Sequence, residues 1–235
     1  MSEDTGSLSS VAVSTVRVSD GGLELALHRL DAHGDGPSLL ILHALGEAAP
    51  RALPDYAAGW PGPVWALDFA GHGDSPVPAG AGYTAEAMVA EADAALAHLG
   101  SATVVGHGLG AYVALLLAGT RTDRVHGVVL MDGPGLDGGG PLPQPPFVDA
   151  LPPNRKTPDP AALAELARDA RPPDYAVSFA MAALDEAVVP RPVVVCAAAR
   201  PPWLAAVAEL PGVVSSPLDA AMANAARDAS ATAAG

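Results

Sequence analysis

A single cysteine in 235 residues, Cys196, excludes an internal disulfide and fits a reducing compartment. Lysine is as scarce, with Lys156 alone beside eleven arginines. Positive charge is short overall: 12 Lys and Arg face 26 Asp and Glu, and the net charge of −14 argues against nucleic acid or an anionic membrane as partner. No uninterrupted apolar run reaches the roughly 18 residues that a membrane span needs. The acidic start Met1-Ser2-Glu3-Asp4 is unlike a signal peptide, so a cytoplasmic chain is expected. Abundant Ala, Pro and Gly with so little lysine reads as genomic base-composition bias, expected of a bacterial source. Half of the residues are apolar, which excludes a disordered chain and suffices for one large α/β domain over residues 1–235.

The organising stretch is 102–119. Thr103-Val104-Val105 is a short apolar, β-branched run, the mark of a buried strand. Gly106 and Gly110 bracket a tight turn, and an apolar helix follows from about Leu109 to Ala118. Gly106-His107-Gly108-Leu109-Gly110 matches the G-x-S-x-G nucleophile elbow at both flanking glycines and puts Gly108 where the nucleophile belongs. Upstream lie Ser38-Leu39-Leu40-Ile41-Leu42 with His43-Ala44-Leu45-Gly46, and Val64-Trp65-Ala66-Leu67 with Asp68-Phe69-Ala70-Gly71-His72-Gly73-Asp74-Ser75.

In these three segments, over residues 38–132, the chain resembles the α/β-hydrolase-fold superfamily of serine esterases and lipases. The resemblance implies an α/β class fold: a mostly parallel sheet of about eight strands flanked by helices, with a small cap between strands 6 and 7 at residues 134–188. The rest of the chain is read in that frame. Residues 1–10 are expected to be loose. Val11–Val18 and Leu23–Leu30 read as antiparallel strands joined at Gly21-Gly22, with His28 and His33 at the surface. A short helix is expected over 47–59, and a longer one from the cap Thr84 to Leu99, stopped by Gly100. Val125–Met131 reads as a buried strand. Helices follow at 159–169, behind Asp159-Pro160, and at 174–186. Pro192–Ala197 is a strand, Trp203–Leu210 a helix and Val213–Ser215 a last short strand. A helical tail from Asp219 is expected to fray from Ser230.

A serine hydrolase needs a nucleophile, a base to take its proton, an acid to orient that base and two amides aimed at the developing oxyanion. Gly108 supplies no nucleophile; an aspartate there would signal dehalogenase-like chemistry and a cysteine a dienelactone-type reaction. The stretch matching the family's acid is Ala197-Ala198-Ala199-Arg200, which leaves Asp132, whose plainer role is to accept turn amides. The last histidine is His126, and 213–219 contains no base. Three such losses exceed a single engineered change. The resemblance makes the amides of Leu45 and Leu109 the oxyanion donors, with Ala44 standing where the family has glycine, a substitution that resists positive φ. It also gives His43 a bracing role at that turn, packs His107 behind the elbow and makes His72 and Ser75 structural. Cys196 reads as a small buried hydrophobe.

The expectation is therefore a protein without catalytic residues, metal or cofactor. It would bind a small ligand or a protein partner at the former cleft, lined by His43, Ala44, Leu45, His107, Gly108, Leu109 and Asp132. Two rivals stand beside it. One is an enzyme of unusual mechanism, a hydrolase or lyase using His43, His107 or Asp132 with their rings and carboxylate together in the cleft. The other is a scaffold subunit whose pocket is closed by Tyr112, Phe147 or cap side chains.

Overall fold

β-Branched runs alternating with apolar helices favour strands laid side by side in parallel, with helices over both faces. The computed structural model has this arrangement. It describes residues 14–31, 34–80, 82–145 and 155–233, so 1–10, His33 and Phe147 lie outside the described residues. The strands are β1 (Ser14–Asp20), β2 (Leu23–Asp31), β3 (Ser38–Leu42), β4 (Val64–Leu67), β5 (Ala102–His107), β6 (Val125–Met131), β7 (Val193–Val195) and β8 (Val214–Ser215). They form an eight-stranded sheet in the order β1-β2-β4-β3-β5-β6-β7-β8. β2 is antiparallel to both β1 and β4, and every other pair is parallel. The helices are α1 (Ala85–Leu99), α2 (Leu109–Thr120), α3 (Pro160–Leu166), α4 (Pro173–Asp185), α5 (Pro202–Ala208) and α6 (Leu218–Ala233).

Successive strand residues point to opposite faces, and the two faces have separate cores. Leu40, Leu42, Val104, Val128 and Val193 pack with α1, α2, α4 and α5. Leu39, Ile41, Val105, Val129 and Val194 pack with α6. α4 lies against α2 and α5 in the helical layer. Among the described residues no helix is long and apolar enough to cross a membrane.

Local signals hold where caps are explicit. Thr84 Oγ1 accepts from Ala87 N at 3.2 Å, and Asp159 Oδ1 from Ala161 N at 3.2 Å. Three expectations need correction. The helix over 47–59 is only a 3₁₀ turn at Asp55–Ala57, because Pro50 and Pro54 remove amide donors and bias the residues before them to extended backbone. The tail stays helical to Ala233, where Ser230 and Thr232 hydroxyls donate to the carbonyls of Ala226 and Asp228 one turn back. His28 is not a surface residue: it is 1% exposed. Strand β2 runs between β1 and β4, and the His28 ring is buried against the carboxylate of Asp68.

Candidate functional site

The elbow forms as its glycines dictate. β5 runs into α2 with no intervening loop, and α2 rides so close to the sheet that a Cβ on Gly110 would lie 2.4 Å from the Leu42 carbonyl oxygen. Gly108 sits between them at φ 52°, ψ −113°, a strained conformation that side chains rarely adopt. A Cβ there would meet the Pro134 carbonyl oxygen at 2.1 Å and the Gly133 carbonyl carbon at 2.6 Å. The space above the elbow is filled by backbone from the loop after β6.

The same carbonyl engages both expected oxyanion donors. Leu45 N donates to Pro134 O at 3.1 Å and Leu109 N at 3.0 Å. The Ala44 substitution does not spoil the donor turn. Glu47 N closes it on the Ala44 carbonyl at 3.1 Å, and Gly46, its third residue, takes the positive φ of 77°. Two converging amides, one at a helix N-terminus, suit an oxygen bearing negative charge; here they hold a peptide carbonyl.

The plugging loop is itself clamped. Gly108 N donates to Met131 O, and Leu136 N to Gly133 O. Arg171, 1% exposed, donates from Nη1 to the carbonyls of Gly135 and Leu136, and Trp203 Nε1 donates to Leu136 O at 2.9 Å. The Arg171 guanidinium lies 4.7 Å from the centre of the Tyr112 ring, which packs edge-on against Trp203. Burial pulls the guanidinium down to about 10, opposed by the carboxylate of Asp169. Tyr112 therefore lies beneath the loop as part of its seat, and backbone closes the elbow.

Of the remaining candidate residues, His43 and His107 share a cavity and Asp132 is bound away from it. His43 is buried, its Nδ1 donating to Ala44 O at 2.8 Å and its Nε2 accepting from Phe69 N at 3.1 Å. Burial, with His72 nearby, pushes it down to about 4. His107 Nε2 is hydrogen bonded to the Tyr56 hydroxyl at 2.9 Å, and burial lowers this imidazole too. His43 and His107 line a cavity of about 180 Å³ with Glu47 and Tyr56. Asp132 is bound elsewhere: its oxygens accept from Ala198 N at 2.6 Å and Ala199 N at 3.0 Å, tying β6 to the loop after β7. The three residues expected to cooperate in an unusual mechanism thus bond to three different elements. Burial also pushes the Cys196 thiol up to about 11, away from reactivity.

A buried polar network that sequence reading missed lies at the end of β4, beside His43. Asp68 accepts from His28 Nε2 at 2.9 Å, Arg51 Nη2 at 2.8 Å, Ala49 N at 2.7 Å and Asp74 N at 2.8 Å. Burial alone would raise its carboxyl, but these donors together hold it far below the usual carboxylate range. His28 Nδ1 is hydrogen bonded to Thr15 Oγ1 at 2.8 Å. Ser75 Oγ accepts from Ala26 N at 2.9 Å and donates to Asp68 O, a bracing part. His28, Asp68 and Asp74 form the cluster with metal-ligand spacing among the described residues. Arg51, 2.8 Å from Asp68 and 3.1 Å from Asp74, already supplies the positive charge there. The Asp68 loop motif was visible in the sequence; its partner His28 was not, because register across β2 and β4 sets that contact.

A model of the alpha/beta hydrolase fold family matches residues 37–183. Among solved structures, a thioesterase domain from the curacin biosynthetic pathway is 26% identical, covering 52% of this chain and 44% of its own, with a TM-score of 0.46. Epoxide hydrolase A from Mycobacterium thermoresistibile is 25% identical over 56% of this chain and 40% of its own, with a TM-score of 0.45. This chain thus spans less than half the length of either. A bacterial membrane phospholipase A described as a virulence factor is 18% identical over 88% of this chain and 79% of its own, with a TM-score of 0.52, a likeness of fold.

Proposed function

This chain belongs to the alpha/beta hydrolase fold family, and we propose that it is a member without hydrolytic chemistry that works by binding. The observation that carries this reading is the Pro134 carbonyl oxygen, held by the amides of Leu45 and Leu109 where a tetrahedral intermediate would place its oxyanion. An ester cannot enter that position until the loop from Gly133 to Leu136 leaves it. If it did, no group at position 108 could attack, and the 213–219 segment, where the resemblance places the base, holds no histidine. Asp132 is bonded to the amides of Ala198 and Ala199 and does not line the cavity that His43 and His107 share, which counts against an alternative acid–base mechanism. The filled elbow moves the binding surface away from the former cleft, toward a closed core whose other faces meet a ligand or partner.

The test is ester hydrolysis by the natural protein and by Gly108→Ser, with short p-nitrophenyl esters. Both are expected to match the buffer rate: in the natural protein the two amides are held by Pro134 O, and in the variant a new hydroxyl restores neither base nor acid. Turnover by the natural protein would overturn the proposal. Turnover only in the serine variant would reveal a base near the elbow and a loop able to withdraw.

A further inference from the structure

Away from the elbow, a groove of about 610 Å³ opens where the end of α3 and the start of α4 meet the first turn of α1. Its volume lies in the range of small-molecule sites, and it is several times that of the cavity at His43 and His107. Tyr175, Pro145 and Pro172 line it; Tyr83 borders it but is 5% exposed, its hydroxyl donating to Asp159 Oδ2. Such surfaces offer flat apolar contact, and the Tyr175 phenol ring adds a negative π-face that attracts cations.

The charge of the groove is one-sided. Glu86, Glu165 and Asp169 all line it, against Arg168, whose Nη2 donates to the Pro145 carbonyl at 3.2 Å. Glu165 Oε2 accepts from Gly82 N and Tyr83 N at 2.8 and 2.7 Å, and Asp169 Oδ2 accepts from Ala85 N at 2.9 Å. These bonds fix two carboxylates at the groove floor, while Glu86 stands exposed beside Tyr175. Burial raises the Asp169 carboxyl and the neighbouring Glu86 adds to that, with Arg171 opposing. A positive group entering here relieves that crowding, whereas a carboxylate or phosphate aggravates it.

We propose that this groove binds an organic cation, its apolar body laid on the Tyr175 and proline rings and its ammonium group turned toward Glu86 and Asp169. The proposal rests on reading the chain as a binding protein, but it uses no residue of the elbow, so the ester assay and the binding assay fail separately.

The probes are phenylbutylamine, phenylbutanol and phenylbutyrate, which share one apolar body and differ in charge. Each is titrated by saturation-transfer NMR against the full chain, Glu86→Gln and Tyr175→Ala, with thermal melts showing that both exposed positions leave the fold intact. The amine is expected to bind saturably and roughly three- to tenfold more tightly than the alcohol, the yield of one partly screened charge pair with a ring face. Phenylbutyrate is expected not to bind. Glu86→Gln should weaken the amine about threefold and leave the alcohol unchanged, and added salt should weaken the amine alone. Equal binding of all three, preference for the acid, amine binding indifferent to both substitutions, or no binding would each overturn the proposal.

Discussion

A side chain at position 108 meets two obstacles at once. The backbone is at φ 52°, and the Cβ would lie 2.1 Å from a carbonyl oxygen that is itself hydrogen bonded to two amides. Gly108→Ala must displace the Pro134 peptide or bend the elbow, and we expect a loss of about 2–4 kcal/mol in denaturant unfolding. Gly59, with nothing within 4 Å of its Cβ position, is the matched control, and Gly59→Ala should fall within about 0.5 kcal/mol of the natural protein. Equal melts for the two variants would mean that Pro134 does not fill the elbow in solution. Glycine at 108 was legible as a missing nucleophile, but a residue type says nothing of what occupies the space that its missing side chain leaves.

At the scale of elements, Asp68 ties three pieces together. It leaves β4, receives His28 from β2, and receives the Ala49 amide and the Arg51 guanidinium from the segment after β3. Asp68→Ala leaves the buried His28 imidazole and two amides without their acceptor, while the half-exposed Arg51 keeps Asp74, and unfolding stability should fall by roughly 2–4 kcal/mol. His28→Phe, which removes one donor and fills the space, should cost less, and the opposite ranking by chemical denaturation would assign the stitching to His28. Elements with explicit punctuation were legible from the sequence: Thr84 and Gly100 bound α1, and Asp159-Pro160 opens α3. The 47–59 segment was not, because its helical composition competes with two prolines and its backbone is instead held by Asp68, distant in sequence. Nor was the clamp of Arg171 and Trp203 on the plugging loop, since both donate to main-chain carbonyls, which every residue carries alike.

For the whole molecule, acidity governs stability. Glu91 is buried with its carboxylate accepting from Ala70 N, and burial pushes its carboxyl up to about 8 from 4.5. The folded chain therefore binds this proton more tightly than the unfolded one, and its contribution to stability falls as pH rises from about 4.5 to about 8. Asp68 acts with the opposite sign: its depressed carboxyl contributes stability above the ordinary 3.8, lost as pH falls through its lower folded value. The net charge of −14 adds self-repulsion at the alkaline end. Between about pH 4 and 6.5 the buried His43 opposes Glu91, because there the unfolded chain binds the histidine proton more tightly than the folded one. Melting temperature should therefore peak near pH 6.5 and decline toward pH 8, and Glu91→Gln should flatten most of that decline; an unchanged slope would place the effect in the net charge. The amino-acid sequence by itself determined the order of strands and helices and the elbow frame with glycine at 108, because these rest on residue types and on periodicities spanning a few neighbours. Only the tertiary structure decided that the amides of Leu45 and Leu109 converge on Pro134 O, that Asp132 is bonded away from the cavity His43 and His107 share, and that a groove of about 610 Å³ opens at α1, α3 and α4. Those outcomes depend on how loops remote in sequence pack their backbones, and side-chain pattern does not encode which carbonyl reaches which amide.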